Sequence, residues 1–231
     1  AVVPALLMTQ GTYTPSFDSL PATLPIFPLP GALLLPGGKL PLQIFEPRYL
    51  TMTRDALASD RLIGMIQPSD QDSEGQGLVG HTAALYPIGC AGRITSFSET
   101  DDGRFLITLT GVCRFGIERE IPTVGGYRRI VPDFSRFRSD LAPEASAIID
   151  RRRLLNALKA YFDNQQISLD LKAITEVPDD KLVISLAMVC PFEAKEKQAL
   201  LEAADLAERS RVMTALLELG LFPANAEGAP H

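Results

Sequence analysis

Histidine, cysteine and tryptophan are scarce in this chain: two, three and none among 231 residues. One histidine is the terminal residue, His231, which leaves His81 as the internal imidazole. Zinc sites, histidine pairs and Cys–His dyads therefore lack parts, and the residues assign no catalytic group, no metal ligand and no cofactor. Cys90, Cys113 and Cys190 are odd in number and widely spaced, as reduced thiols in a cytosolic protein are. Long apolar runs are missing too. Gly31–Leu35 and Leu182–Val189 fall far short of the roughly 20 residues that cross a bilayer, so no membrane partner is expected. The apolar N-terminus has no Lys or Arg before it and holds Pro4, which predicts no cleavable signal peptide. A basic excess is also absent. Lys and Arg number 22 against 28 Asp and Glu, a net charge of −6, and neither half of the chain has the cationic surplus that phosphate neutralisation requires. The expectation is a soluble cytoplasmic protein that does not have nucleic acid as its partner.

Nucleotide and hydrolase motifs are missing as well. Gly37-Gly38-Lys39 is followed by Leu40 and lacks the spacing of a phosphate-binding loop. There is no G-x-S-x-G and no H-E-x-x-H. Lys181 and Ser185 stand four apart on a predicted helix, where a serine ordinarily bonds its own preceding carbonyl. Asp70–Gly77 is polar and reads as a loop without calcium-site spacing.

What is present divides into two patterns. From Leu24 to about Phe137, dense Pro and Gly and short apolar segments predict strands and turns. A helix starting with Pro47 at Glu46–Leu57 interrupts them. Leu62–Gln67 reads as a strand. Gly89–Ser98 and Arg104–Glu118 read as a hairpin in which Phe105, Ile107 and Leu109 make one face more apolar than Leu106, Thr108 and Thr110. With Asp101-Asp102 as a two-residue turn Cys90 opposes Cys113; with Asp102-Gly103 it opposes Phe115; a bulge would change either register. From Pro143 the periodicity is helical. Pro143–Gln165 aligns Ile148, Leu154, Leu155, Leu158, Tyr161 and Phe162, and Leu169–Glu176 is a shorter helical piece. Pro178-Asp179-Asp180 opens a helix presenting Leu182, Val183, Leu186 and Val189. Glu193–Glu202 follows, and a capping-box start at Asp205–Glu208 leads into a helix that buries Leu206, Val212, Met213, Leu216 and Leu217 and ends at Gly220. The expected architecture is α+β: an extension over 1–20, a β-rich unit over 21–140, an antiparallel helical bundle over 141–222 and a flexible tail over 223–231.

Leu24-Pro-Ile-Phe-Pro-Leu-Pro-Gly31, Leu33-Leu-Leu-Pro-Gly37 and Leu40-Pro-Leu-Gln-Ile-Phe-Glu-Pro-Arg-Tyr49 together resemble the opening of the Lon N-terminal domain family. The likeness continues through Gly89-Cys-Ala-Gly-Arg-Ile94, Asp102-Gly-Arg-Phe105 and Leu109-Thr-Gly-Val-Cys-Arg-Phe115. It returns in Glu196–Ala203 and Asp205–Arg209, so it covers about Leu24 to Leu219. It implies a barrel or sheet of the pseudouridine-synthase-and-archaeosine-transglycosylase (PUA-like) type followed by a helical bundle, and more distantly the Lon-like domain of cereblon. It also implies a stand-alone bacterial member that engages polypeptides, without the ATPase and Ser–Lys peptidase of Lon: a non-enzymatic recognition module, with a role as an adaptor in protein quality control as the expectation.

Within the first block, Pro25, Pro28 and Pro36 fix turns, and Ile26, Leu29, Leu33 and Leu35 are expected in the core. Glu46 is placed to accept first-turn amides or to pair with Arg48 or Arg93. Phe45 and Tyr49 fit a core role better than a surface one. Direct partner contact by Phe45, Glu46, Arg48, Tyr49 and Arg93 is the functional alternative, at the crease between sheet and bundle or at an exposed sheet edge. Arg151-Arg152-Arg153, the one basic cluster, reads as a solvated face with an ion pair to Asp150 or Glu144. It would serve RNA if the chain were an RNA-binding protein, the second reading; a hydrolase with an unrecognised site is the third.

Overall fold

The computed structural model describes residues 15–69, 83–142, 148–165, 174 and 176–221. His81, the Asp70–Gly77 loop, most of Leu169–Glu176 and the tail from residue 222 lie outside the described residues.

Among the described residues six strands form one mixed sheet: β1 (Leu24–Pro28), β2 (Lys39–Ile44), β3 (Leu62–Ile66), β4 (Ile88–Glu99), β5 (Phe105–Val124) and β6 (Tyr127–Asp133). Their order is β2-β5-β4-β3-β1-β6, and β5 pairs with β6 as well. The 20-residue β5 is what closes the sheet. Its first half lies between β2 and β4, and its second half carries β6, which returns to β1. The result is a barrel of β1, β3, β4, β5 and β6, with β2 attached outside the closure. Helix α1 (Pro47–Leu57) begins at Pro47 as expected, because proline costs no intrahelical donor there. It buries Tyr49, Met52, Thr53 and Ala56. Ile26, Leu33 and Leu35 are in the core, and Leu29 packs against it half-buried.

The β4–β5 hairpin follows neither two-residue turn. Thr100 N–H donates to Arg104 O (2.9 Å) and Gly103 N–H to Thr100 O (2.9 Å), so Asp101–Gly103 is a three-residue loop. Gly103 sits at φ 78°, the left-handed residue that such a loop demands. Cys90 consequently opposes Arg114 and Cys113 opposes Ala91, with irregularities at Ala91/Gly92 and Ile94/Ser96. All three cysteines are buried and free.

Beyond a 3-10 helix at Ser135–Leu141 come α2 (Arg151–Asn164), α3 (Asp179–Val189), α4 (Ala194–Glu202) and α5 (Leu206–Leu219). Helix α5 packs against α2, α3 and α4. Helix α2 starts later than its periodicity suggests. Asp150 caps it by accepting from Arg153 N–H (3.0 Å), so Ile148 lies outside the helix and is 95% exposed. Val189, expected on the buried face of α3, is also exposed, because the helix ends there. In α5, Leu206, Met213 and Leu217 are buried, whereas Val212 and Leu216 are half-buried. Capping at Glu193/Glu196 and by Asp205 starts α4 and α5 where the sequence indicates.

Helix α4 fills the crease between barrel and helices. Gln198 Nε2 donates to Ile88 O (3.1 Å) and to Glu202 Oε1 (2.7 Å), Gln67 Nε2 donates to Ala194 O (3.0 Å) and Gln198 Oε1 (3.2 Å), and Lys197 Nζ donates to Gly31 O (2.6 Å). These bonds pair polar groups removed from water, with Gln67 Oε1 left without a partner among the described residues.

Candidate functional site

The second half of β4 and the first half of β5 extend beyond the closed barrel, and β2 pairs with β5 there, making a three-stranded flap. Cross-strand rows define its two faces. On one face lie Ile44–Phe105, Leu42–Ile107–Phe97 and Leu40–Leu109–Ile94. Phe105, Ile107, Leu109, Ile94 and Ile44 are buried there. The Arg54 guanidinium of α1 stands 4.9 Å from the Phe105 ring centre, and Phe97 meets Phe105 edge-on at 5.0 Å. The outer face carries Gln43–Leu106–Ser98 and Pro41–Thr108–Ser96. Between these residues lies a shallow groove of about 350 Å³, and none of its lining side chains is charged. Thr95 ties the face together, with its hydroxyl bonded to Thr108 O (3.2 Å) and 2.9 Å from Thr110 Oγ1.

Phe45 leaves the end of β2 and is 61% exposed, which corrects its expected core placement. Its side chain continues the outward alternation of Pro41 and Gln43, whereas Ile44 takes the core position beside it. Glu46 makes no side-chain cap to α1. Instead it pairs with Arg48, whose Nη2 and Nε lie 2.8 and 3.0 Å from Glu46 Oε2. The Arg48 guanidinium also lies 4.5 Å from the Tyr49 ring centre. Tyr49 itself is core, with its ring centre 4.2 Å from that of Phe27. Burial pushes its hydroxyl pKa up, partly offset by the Arg48 charge. Arg93 is tied to the Asp60 carbonyl (3.1 Å) at the end of the α1–β3 connection. The structure thus brings Glu46, Arg48 and Tyr49 together, turns Phe45 outward beside them, and anchors Arg93 to a separate loop.

Arg151 pairs with Asp179 and donates to Ile174 O (3.0 Å), and Arg153 grips Glu218 through two 2.8 Å hydrogen bonds. These acids stand on other helices, Asp179 on α3 and Glu218 on α5; of the expected partners, Asp150 accepts from the Arg153 backbone and Glu144 lies outside the described residues. Among the described residues no three His, Cys, Asp or Glu side chains come together as a metal site would need, and no helix is long and apolar enough to cross a membrane.

Leu106, Pro41 and Phe97 were not among the sequence candidates. Leu106, 43% exposed, is the leucine that breaks the threonine alternation of β5, and that break was the available signal. Pro41 and the groove depend on pairings between strands far apart in sequence.

Known proteins are similar to this chain in sequence and in fold. The chain is 26% identical over 204 residues to a Lon protease of Anaeromyxobacter dehalogenans, covering 87% of this chain and 23% of that protein. It is likewise 26% identical over 204 residues to Lon protease 2 of Myxococcus xanthus, covering 87% and 24%. The chain spans about a quarter of the length of these curated relatives. Its fold resembles the crystal structure of a Lon N-terminal domain protein from Xanthomonas campestris (TM-score 0.59, 22% identity, 84% of this chain and 97% of that one). It also resembles the N-terminal domain of the Mycobacterium avium complex Lon protease (TM-score 0.56, 15% identity, 84% and 97%). Residues 23–218 match the family described as the ATP-dependent protease La (LON) substrate-binding domain, and the chain belongs to that family.

Proposed function

We propose that this chain is a non-enzymatic module that recognises unfolded or extended polypeptide, acting in the cytoplasm as an adaptor in protein quality control. One observation carries this reading: exposed Leu106 lines an uncharged groove and Phe45 stands exposed just past the end of β2, which borders that groove, on a fold whose family is described as substrate-binding. Apolar surface with a neutral polar rim suits side chains and backbone of a polypeptide. A phosphate backbone would need a cationic lining, and Arg151 and Arg153 are engaged in ion pairs that support the helices. The same reading divides the chain into a PUA-like unit over 21–140 and an antiparallel bundle over 141–222. Glu46, Arg48 and the buried Tyr49 then act as the frame that presents Phe45, and Arg93 steadies the neighbouring loop.

The test is fluorescence anisotropy with a reduced, carboxymethylated polypeptide that cannot refold, its native form, and a single-stranded RNA. Saturable binding of the unfolded chain alone is expected, weakened about tenfold by Phe45→Ser or Leu106→Ser. Equal affinity for the native form, or salt-sensitive binding of the RNA, would overturn the reading.

A further inference from the structure

We infer that the client is held by strand addition to the outer edge of β2, with Pro41 selecting which backbone hydrogen bonds it makes. This deepens the polypeptide-recognition reading and rests on it. Among the described residues β2 pairs with β5 alone, whereas each of the other five strands has at least two partner strands.

The direction in which the β2 backbone points follows from the start of the strand. Gly37 N–H donates to Gly111 O (2.9 Å) and Gly111 N–H donates to Gly38 O (2.8 Å), with Gly37 at φ 77°. This is a G1 bulge, and it puts Gly38 and Gly111 in the hydrogen-bonded class of antiparallel pairs. The classes alternate along a ladder, and Leu40, Leu42 and Ile44 oppose Leu109, Ile107 and Phe105. These three residues therefore bond to β5, and Pro41 and Gln43 turn their backbone groups away from it. Proline is itself a check on the phase: in the other phase it would stand where β5 requires a donor. Pro41 and Gln43 are also exposed, and Leu42 between them is half-buried.

Over Pro41–Gln43 the outward row thus consists of the Pro41 and Gln43 carbonyls and the Gln43 amide. Such groups recur every second residue, about 6.7 Å, a period matched by another extended backbone and by little else. A ribose-phosphate chain does not present alternating donors and acceptors at that spacing. The six-residue strand is about 20 Å long, enough for a client stretch of five or six residues. Phe45 continues from its end, and the uncharged groove adjoins it. The class of client is therefore an unfolded segment with apolar residues at alternate positions, neutral where it passes the groove. Pro41 also disfavours a second copy of the chain as occupant. Two β2 edges meeting about Pro41 would set one missing donor against another, the device by which sheet edges avoid pairing with themselves.

Two edge variants of the full chain test this with the carboxymethylated polypeptide as probe. Gln43→Pro deletes the outward amide of Gln43 and leaves the β5 ladder intact; an affinity about tenfold weaker with an unchanged melting temperature is expected. Pro41→Val restores the missing donor and is expected to tighten binding about threefold to fivefold, so a failure of the first variant to fold leaves the second decisive. If both variants bind like the parent while Phe45→Ser weakens, strand addition is wrong and the client reading survives. If the parent itself does not bind the unfolded chain, both fall.

Discussion

Arg114 of β5 and Asp140 of the 3-10 helix form a doubly hydrogen-bonded ion pair sealed from solvent. Nη2 lies 2.8 Å from Oδ1 and Nε 2.9 Å from Oδ2, and the side chains are 4% and 8% exposed. The other guanidinium nitrogen, Nη1, donates to Leu201 O (3.1 Å) and Ala203 O (2.6 Å) at the end of α4, where the helix dipole is negative. Burial works against the guanidinium charge, but the hydrogen bonds and charge of Asp140 outweigh it and raise the Arg114 pKa. One side chain therefore ties the barrel to the helices.

Asp140→Asn leaves that cation without its charge partner. Breaking a buried pair from one side costs about 3 kcal/mol, which at this chain length corresponds to a melting temperature lower by roughly 6–12 °C. Calorimetry checks it; a shift under about 2 °C would mean the guanidinium is satisfied by the α4 carbonyls alone.

The buried thiols set an alkaline limit. Burial pushes Cys113 and Cys190 up to about 12 and Cys90 well above its ordinary value. The folded state therefore favours the protonated thiols. Their contribution is complete below the unfolded thiol pKa near 9 and is lost as pH rises from there toward 12. Urea unfolding should show a midpoint that is flat from pH 7 to 8 and falls steadily above 9. In native buffer a thiol reagent should find none of the three cysteines, and in denaturant all three.

Tyr127 contributes in the same direction. Its hydroxyl donates to Asp55 Oδ2 (2.7 Å), holding the β5–β6 hairpin to α1, and burial together with that bond raises its pKa to about 12. Tyr127→Phe should cost about 1–2 kcal/mol at pH 7. It should also flatten the alkaline decline between pH 10 and 12, because the ionising group is gone.

The arginine cluster is expected to act on stability. Arg151→Ala removes the Asp179 pair and the bond to Ile174 O, both half-buried, so a loss of about 1–2 kcal/mol is expected. Arg152 is exposed, and Arg152→Ala should change stability by less than about 0.5 kcal/mol. An RNA titration that distinguished Arg152→Ala from the parent would instead favour nucleic-acid recognition.

Local chemistry explains which elements were legible. Pro47 at a first helical position, the Glu193/Glu196 box and Asp205 mark helix starts by satisfying nearby donors, so α1, α4 and α5 could be read in place. Asp150 works by the same physics, but the apolar repeat through Ile148 outweighed it and extended α2 too far. The Asp101–Gly103 loop differs from a two-residue turn by one residue. Gly103 is compatible with both, so hydrogen bonds to Thr100 had to decide.

By itself the sequence determined the family and the change from strands to helices near residue 140, because Pro, Gly and apolar spacing act within a few residues. It also determined the poverty in chemistry-bearing side chains. Only the tertiary structure decided that β5 closes a barrel while β2 stays outside it, that Tyr49 goes inward and Phe45 outward, and that Arg114 and Gln198 lock α4 into the crease. Those outcomes depend on pairings between residues tens of positions apart, whose energies belong to neither partner alone.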